Sequence, residues 1–143
     1  MLIERILKRA QVKACLGRDT RVLSSDGALD LVLKVPRERG PGGASENGTH
    51  AEHLFAAAYA AGFLDTIRVV ARRDGIEVPA DTEVEANIGI GTMRDVLGIE
   101  VELRVSLPGI PRAEADWLVE KSHAVCPYSN AVRDNAVVRL VLI

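Results

Sequence analysis

The sequence predicts an α+β fold in the order βββ-α-ββ-α-β, and three observations carry that expectation. Stretches that alternate apolar and polar residues come in groups, before residue 36 and again between residues 82 and 107, instead of alternating singly with helices. Between the groups lies an alanine-rich stretch with no alternation, long enough for a buried helix. A second helical stretch follows the second group, and the chain closes on "AVVRLVLI", which reads as a last strand. A doubly wound parallel sheet would instead thread a helix between successive strands.

Taken in order, two short strands are expected around Val12–Leu16 and Arg21–Ser24, with "SSDG" as the turn that follows. "ALDLVLKV" then sets Leu29, Leu31, Leu33 and Val35 on one face and Asp30 and Lys34 on the other. "PRERGPGGASENG", residues 36–48, is a Pro/Gly-rich loop, long for a compact domain. Thr49 is expected to start the first helix through a capping box, with Glu52 three residues on. That helix runs to about Arg72, where "RRDG" gives cations for its last turn and Gly75 as the stop. From Leu54 to Leu64 it is apolar or small all round, so it is expected to be covered on most sides, with a partner subunit supplying part of the cover. Past Pro79, Val84, Ala86, Ile88 and Ile90 alternate with Glu83, Glu85 and Asn87. Ile99, Val101, Leu103, Val105 and Leu107 alternate in the same way with Glu100, Glu102 and Arg104, as antiparallel strands with one wet side do. The second helix is expected from about Pro111, with proline in its first turn, through "RAEADWLVEKSHAV".

A chain of 143 residues suits one domain, 1–143, and buries about 68–70% of the surface its unfolded form would expose. With 48% apolar and 27% charged residues and a net charge of −2, nothing in the total favours nucleic acid or an anionic membrane. The N-terminal "MLIERILKRA" scatters charges through its apolar residues and so does not read as a signal peptide. The longest apolar run, Leu54–Leu64, is too short to span a bilayer. The expectation is a soluble cytoplasmic protein. Its two cysteines, Cys15 and Cys126, stand far apart in sequence, which argues against a structural disulfide framework and leaves either a reactive thiol or two buried ones.

Few residues invite chemistry. Cys126, in "VCPYSNAVRDN", either ends the second helix, where the dipole disfavours a thiolate, or caps a new short helix starting at Pro127, where the dipole favours one. Arg18, in "LGRDTR", falls in a turn between strands and reads by itself as a solvated cation, while Glu52 is accounted for by the capping box. His50, His53 and His123 lack the spacing of a metal site, and no metal is expected. Gly62 is the oddity: it sits inside a helix that otherwise uses alanine freely, at a cost of about 1 kcal/mol relative to Ala.

"ENGTHAEHLFAAAYAAGF", followed by "LPGIPRAEADWLVEKSHAVCPYSN" and preceded by "GRDTR" and "SSDGALDLVLKVP", resembles the organic hydroperoxide resistance branch of the OsmC/Ohr family. The likeness runs in the right order over nearly the whole chain, and "VCPYSNA" is its most specific piece. The resemblance implies an intertwined homodimer whose central helices are buried between sheets, with active sites at the interface. It implies a thiol peroxidase that reduces organic hydroperoxides. A peroxidatic cysteine on the central helix becomes a sulfenic acid and then a disulfide with a resolving cysteine. No bound cofactor is needed, and an external dithiol such as a lipoyl protein restores the thiols. Matched position by position, Arg18 is the arginine that holds the thiolate, Glu52 its partner and Cys126 the resolving cysteine. The peroxidatic position falls on Gly62. Other departures are His50-Ala51 for the usual Asn-Pro, Asp134 for the usual Gly, and Cys15 where small residues are usual.

Glycine cannot cleave a peroxide, so the two-cysteine cycle cannot run at Gly62. The reading that follows is a family member that binds a small apolar or oxidised ligand in the interface pocket, with Gly62 leaving extra room there. The alternative is an active peroxidase using Cys126, Cys15 or both as its redox thiol. An ordinary enzyme altered at one position is a third account.

Overall fold

A computed structural model of the protein describes residues 2–34 and 48–143. The Pro/Gly-rich loop expected at 36–48 lies almost wholly outside them. The chain forms two compact units, Met1–Ala51 and Glu52–Ile143.

The first unit is an antiparallel sheet in the order β1-β2-β3, with β1 Val12–Cys15, β2 Thr20–Ser24 and β3 Asp30–Leu33. The expected turn after β2 is built from its own side chains. Ser24 Oγ accepts from the Leu29 amide at 2.8 Å, and Asp26 accepts from Ser24 Oγ at 2.6 Å and from the Ala28 amide at 3.0 Å. Gly27 takes the left-handed conformation there, with φ of 74°. The Ser24 hydroxyl, then the Ala28 amide, hold the Asp26 carboxyl below its ordinary value. On the wet face of the sheet Arg21 grips Asp30 with two bonds of 2.8 and 2.7 Å.

Thr49 does not start the first helix. Its carbonyl accepts the Lys34 amide at 2.8 Å, and the residue forms a parallel bridge with Leu33, so its backbone is committed to β3. His50 Nδ1 lies 2.9 Å from the Lys34 carbonyl. The helix begins two residues later, as α1, Ala51–Arg73, and Glu52 stands in its first turn.

In the second unit α1 is followed by β4 Glu83–Met93, β5 Val96–Ser106, α2 Arg112–Val125, α3 Pro127–Val132 and β6 Val138–Leu142. The element order is therefore βββ-α-ββ-α-α-β, with the short helix at Pro127 that the sequence had left open added to the expected order. The hairpin between β4 and β5 extends past the predicted strands and turns on Arg94 and Asp95, with Arg94 at φ 52°. The sheet runs β4-β5-β6 and is mixed: β4 and β5 are antiparallel, while β6 lies parallel to β5. A parallel partner needs a long crossover, and α2 and α3 supply it.

The core forms around β5. Tyr59, Phe63, Ile67, Val70 and Ala71 make one stripe of α1, at spacings of one helical turn, and meet Val101, Leu103 and Val105 of β5. Ala115, Leu118 and Val119 of α2 and Cys126 complete the cluster. The outward alternation of Glu83, Glu85 and Asn87 on β4 is as expected. Within the single chain only Tyr59 and Phe63 of the Leu54–Leu64 run are buried, and Phe55 is exposed on the helix for which a partner subunit was expected to supply part of the cover. By length and composition α1 as a whole passes for a membrane span, which the apolar run alone did not suggest, because the helix continues through Thr66–Ala71. That continuation is the part most deeply packed in the core.

Candidate functional site

Position 62 lies at the middle of α1, on the turn between Tyr59 and Thr66. Thr66 Oγ1 donates to the Gly62 carbonyl at 2.7 Å, tying that turn to itself. The space beside Gly62 is filled. A Cβ built there would run into the ring of Tyr128, with Cδ2 2.5 Å away and Cζ 3.4 Å away. The expectation of extra room at Gly62 is thereby corrected: the residue is glycine against an aromatic face, and the Tyr128 ring occupies what a side chain would need. Tyr128 also packs on Tyr59, with ring centroids 5.9 Å apart, and Tyr59 meets Phe55 edge-on at 6.3 Å. Open space is found elsewhere in this unit. A cavity of about 470 Å³ lies at the outer half of the β4–β5 hairpin, lined by Gly89, Ile90, Met93, Gly98 and Val137 among others.

Cys126 answers both halves of the question the sequence posed. It is the C-cap of α2 and the N-cap of α3 at once, in an extended conformation with ψ of 129°, and Pro127 takes the first turn of α3. Its amide donates to the Ser122 carbonyl at 2.8 Å, and its carbonyl accepts the Asn130 amide at 2.9 Å. The side chain is fully buried and the thiol is free. Because Tyr128 follows Cys126 by two residues and lies on Gly62, the start of α3 and the middle of α1 are neighbours.

The same junction holds a polar chain that sequence reasoning missed. Ser129 Oγ lies 2.9 Å from Tyr59 Oη and 2.9 Å from His123 Nδ1, joining α1, α3 and α2. Tyr59 and Ser129 are wholly buried. Burial raises the Tyr59 phenol above its ordinary value, against the opposing hydrogen bond from Ser129. Burial and then the Arg133 cation push the His123 imidazole below its ordinary value, with Glu120 pulling the other way. Arg133 reaches back to the end of α2, donating to the carbonyls of His123 at 2.9 Å and Ala124 at 3.3 Å. Ser122 Oγ and Asn130 Oδ1 are buried with no partner among the described residues. The sequence offered one weak signal for this chain, a lone Tyr in an alanine run. The contact it makes is 70 residues away.

The remaining candidates are placed as follows. Arg18 is exposed in the turn between β1 and β2, as expected, beside Asp19, which pairs with Lys34 at 3.1 Å. Cys15 is exposed at the end of β1, opposite Arg21, and its thiol is free. Glu52 is half-buried in the first turn of α1, where a negative charge suits the helix dipole. Asp134, where the resemblance has glycine, carries a left-handed backbone with φ of 62°, which explains why glycine suits that position. Among the described residues no group of three or more His, Cys, Asp or Glu side chains is arranged to hold a metal ion.

Comparison with known proteins agrees with the fold. Residues 42–141 match the family model described as OsmC-like protein. The organic hydroperoxide resistance protein of Xanthomonas axonopodis pv. citri is 46% identical over 139 residues, covering 97% of this chain and 96% of that one. A Legionella pneumophila organic hydroperoxide resistance protein superposes with a TM-score of 0.86 at 37% identity, over 96% of this chain and 98% of that one. A Vibrio cholerae structure with captopril bound in one of its active sites is similar with a TM-score of 0.86 at 34% identity, over 97% of this chain and 94% of that one.

Proposed function

The chain belongs to the OsmC-like family, on its organic hydroperoxide resistance branch, and from that premise we propose that it serves organic hydroperoxide defence by binding and not by the two-cysteine cycle. It holds a small apolar or oxidised organic ligand at the interface of a homodimer. What argues against the two-cysteine cycle is position 62, which the resemblance assigns to the peroxidatic cysteine. It is a glycine, and the Tyr128 ring stands where a side chain would. Without a thiolate there, no sulfur attacks the O–O bond from the middle of α1. The captopril in the Vibrio cholerae relative is a precedent for a small organic molecule in such a site. The exposed Phe55 and Val69 on α1 support a partner subunit, since they leave apolar surface on a central helix. In this reading the protein is cytoplasmic and uses no bound cofactor.

The test is a stoichiometric organic hydroperoxide added to the reduced protein, followed by intact mass, free-thiol count and residual peroxide. The expected result is unchanged peroxide and two free thiols. Loss of two hydrogens with both thiols consumed would overturn the proposal in favour of a Cys15–Cys126 couple. Gain of one oxygen would overturn it in favour of a lone sulfenic acid at one of them. Light scattering at micromolar concentration tests the homodimer, and a monomer there removes the interface from the reading. Titration with cumyl alcohol, followed by the NMR signals of Tyr128, tests the ligand: unmoved signals at millimolar alcohol refute binding at this position.

A further inference from the structure

Ser129 Oγ makes two short contacts, one to Tyr59 Oη and one to His123 Nδ1, each 2.9 Å. Two contacts hold two protons. With His123 neutral and its proton on Nε2, the available protons are those of the two hydroxyls. Tyr59 donates to Ser129, Ser129 donates to Nδ1, and none is left over. With a proton on Nδ1, as in the other neutral tautomer or the imidazolium, three protons compete for the same two contacts. One hydroxyl then loses its acceptor, and a buried donor without a partner is costly. Tyr59 and Ser129 have no exposure, so bulk water does not accept the stranded hydroxyl proton.

We propose that this chain of three side chains is a proton-sensitive latch on Cys126: neutral His123, as the Nε2–H tautomer, holds α3 against α1 through Ser129, and protonation of His123 loosens the first turn of α3 and opens the buried thiol to solvent. Ser129 stands one turn beyond Cys126 on α3, and the Cys126 carbonyl already accepts the Asn130 amide in that turn. His123 is half-buried, so its ring takes its proton from solvent at an accessible edge. The charged and titratable groups that bear on this ring are Glu120 on α2 and Arg133 just past α3, with Tyr59 of α1 reached through Ser129. Arg133 grips the His123 carbonyl at 2.9 Å and disfavours a second cation beside it. His123 and Ser129 act here as positioning residues. The inference does not depend on the ligand-binding reading.

The experiment uses the protein's own second thiol as a reference. Cys15 is exposed and Cys126 buried, so each molecule reports the ratio of their N-ethylmaleimide labelling rates by peptide mass. Between about pH 7.5 and about pH 5, the span in which imidazole titrates, the Cys126-to-Cys15 ratio should rise as pH falls. Its ceiling is about tenfold for each pH unit by which the opened form binds the proton more readily than the latched one. His123→Asn keeps an acceptor near the Nδ1 position and does not titrate, so its ratio should stay flat. Ser129→Ala should raise the ratio at every pH. Nitrogen NMR of the imidazole should show the Nε2–H tautomer at neutral pH, whether or not either variant folds. A flat ratio in the parent protein, a pH-dependent ratio that survives in His123→Asn, an unchanged ratio in Ser129→Ala, or a proton on Nδ1 would each overturn the latch.

Discussion

Replacing Gly62 by alanine isolates what the Tyr128 ring does to position 62. In an ordinary helix interior the exchange stabilises by about 1 kcal/mol, because alanine loses less backbone freedom on folding. Here the new methyl would overlap the ring, whose Cδ2 is 2.5 Å from the Cβ position. Forcing an extra carbon into a filled site costs about 1–3 kcal/mol. The two effects oppose each other, so Gly62→Ala is expected to be destabilising by about 0–2 kcal/mol. Removing the ring should restore the ordinary sign, and in a Tyr128→Ala background Gly62→Ala should stabilise by about 1 kcal/mol. The coupling between the two positions is then about 1–3 kcal/mol, within the range of residues in contact. Urea denaturation of the four proteins measures it, provided the slopes agree, and a thermal scan gives a second reading at about 2–4 °C per kcal/mol for a chain of this size. If Gly62→Ala stabilises both backgrounds equally, the ring does not explain the glycine and the argument fails.

Three further outcomes are expected. Phe63→Ala, which empties a fully buried site against β5, should cost about 3–5 kcal/mol by chemical denaturation, and a loss below about 1 kcal/mol would contradict the core described above. His123 has a folded-state value below its unfolded one, so its unfolded form binds the proton more readily. Its contribution is fully kept above about pH 6.5 and is lost as pH falls through the lower folded value; stability measured from pH 8 to pH 5 should therefore decline more in the parent than in His123→Asn, and equal slopes would refute the assignment. Asp134→Gly should change stability by only about 0–1 kcal/mol in the favourable direction, since relief of a left-handed residue is offset by a freer unfolded chain; a loss above about 1 kcal/mol would mean the Asp134 side chain holds something the backbone angle does not reveal.

Much of the fold was legible because its signals are local. Alternation placed β3, β4 and β5 to within a few residues. The stripe from Tyr59 to Ala71 follows from helical spacing alone, and Gly75 and Pro111 mark boundaries through backbone rules that need no partner. The errors arose where a residue's backbone was claimed from a distance. Thr49 has the chemistry of a helix cap, but β3 takes its carbonyl, a pairing with a segment 16 residues earlier that no window around Thr49 contains. The hairpin turn at Arg94-Asp95 carries no glycine or proline, so it reads as ordinary charged strand until the register fixes it.

The site divides along the same line. Cys126 was found because Pro127 and the motif around it are contiguous. The two orientations weighed for it both turned out to be real, because one residue can end a helix and begin the next when its ψ is extended. Gly62 was found as an anomaly of helix propensity, and it was misread because what a glycine faces is not written beside it. The sequence suggested a vacancy, whereas the structure supplies an aromatic ring from a residue 66 positions away in number. This changes what restoring a thiol at position 62 requires. A cysteine there carries the same Cβ as alanine, so it meets the same ring before its sulfur meets anything. Peroxide consumption by Gly62→Cys therefore depends first on whether Tyr128, about two-fifths exposed, can turn outward. Assaying that variant beside Gly62→Ala separates the two demands. Equal destabilisation of both, with peroxide consumed only by the cysteine, would mean that the ring yields and that a thiol at position 62 is reactive.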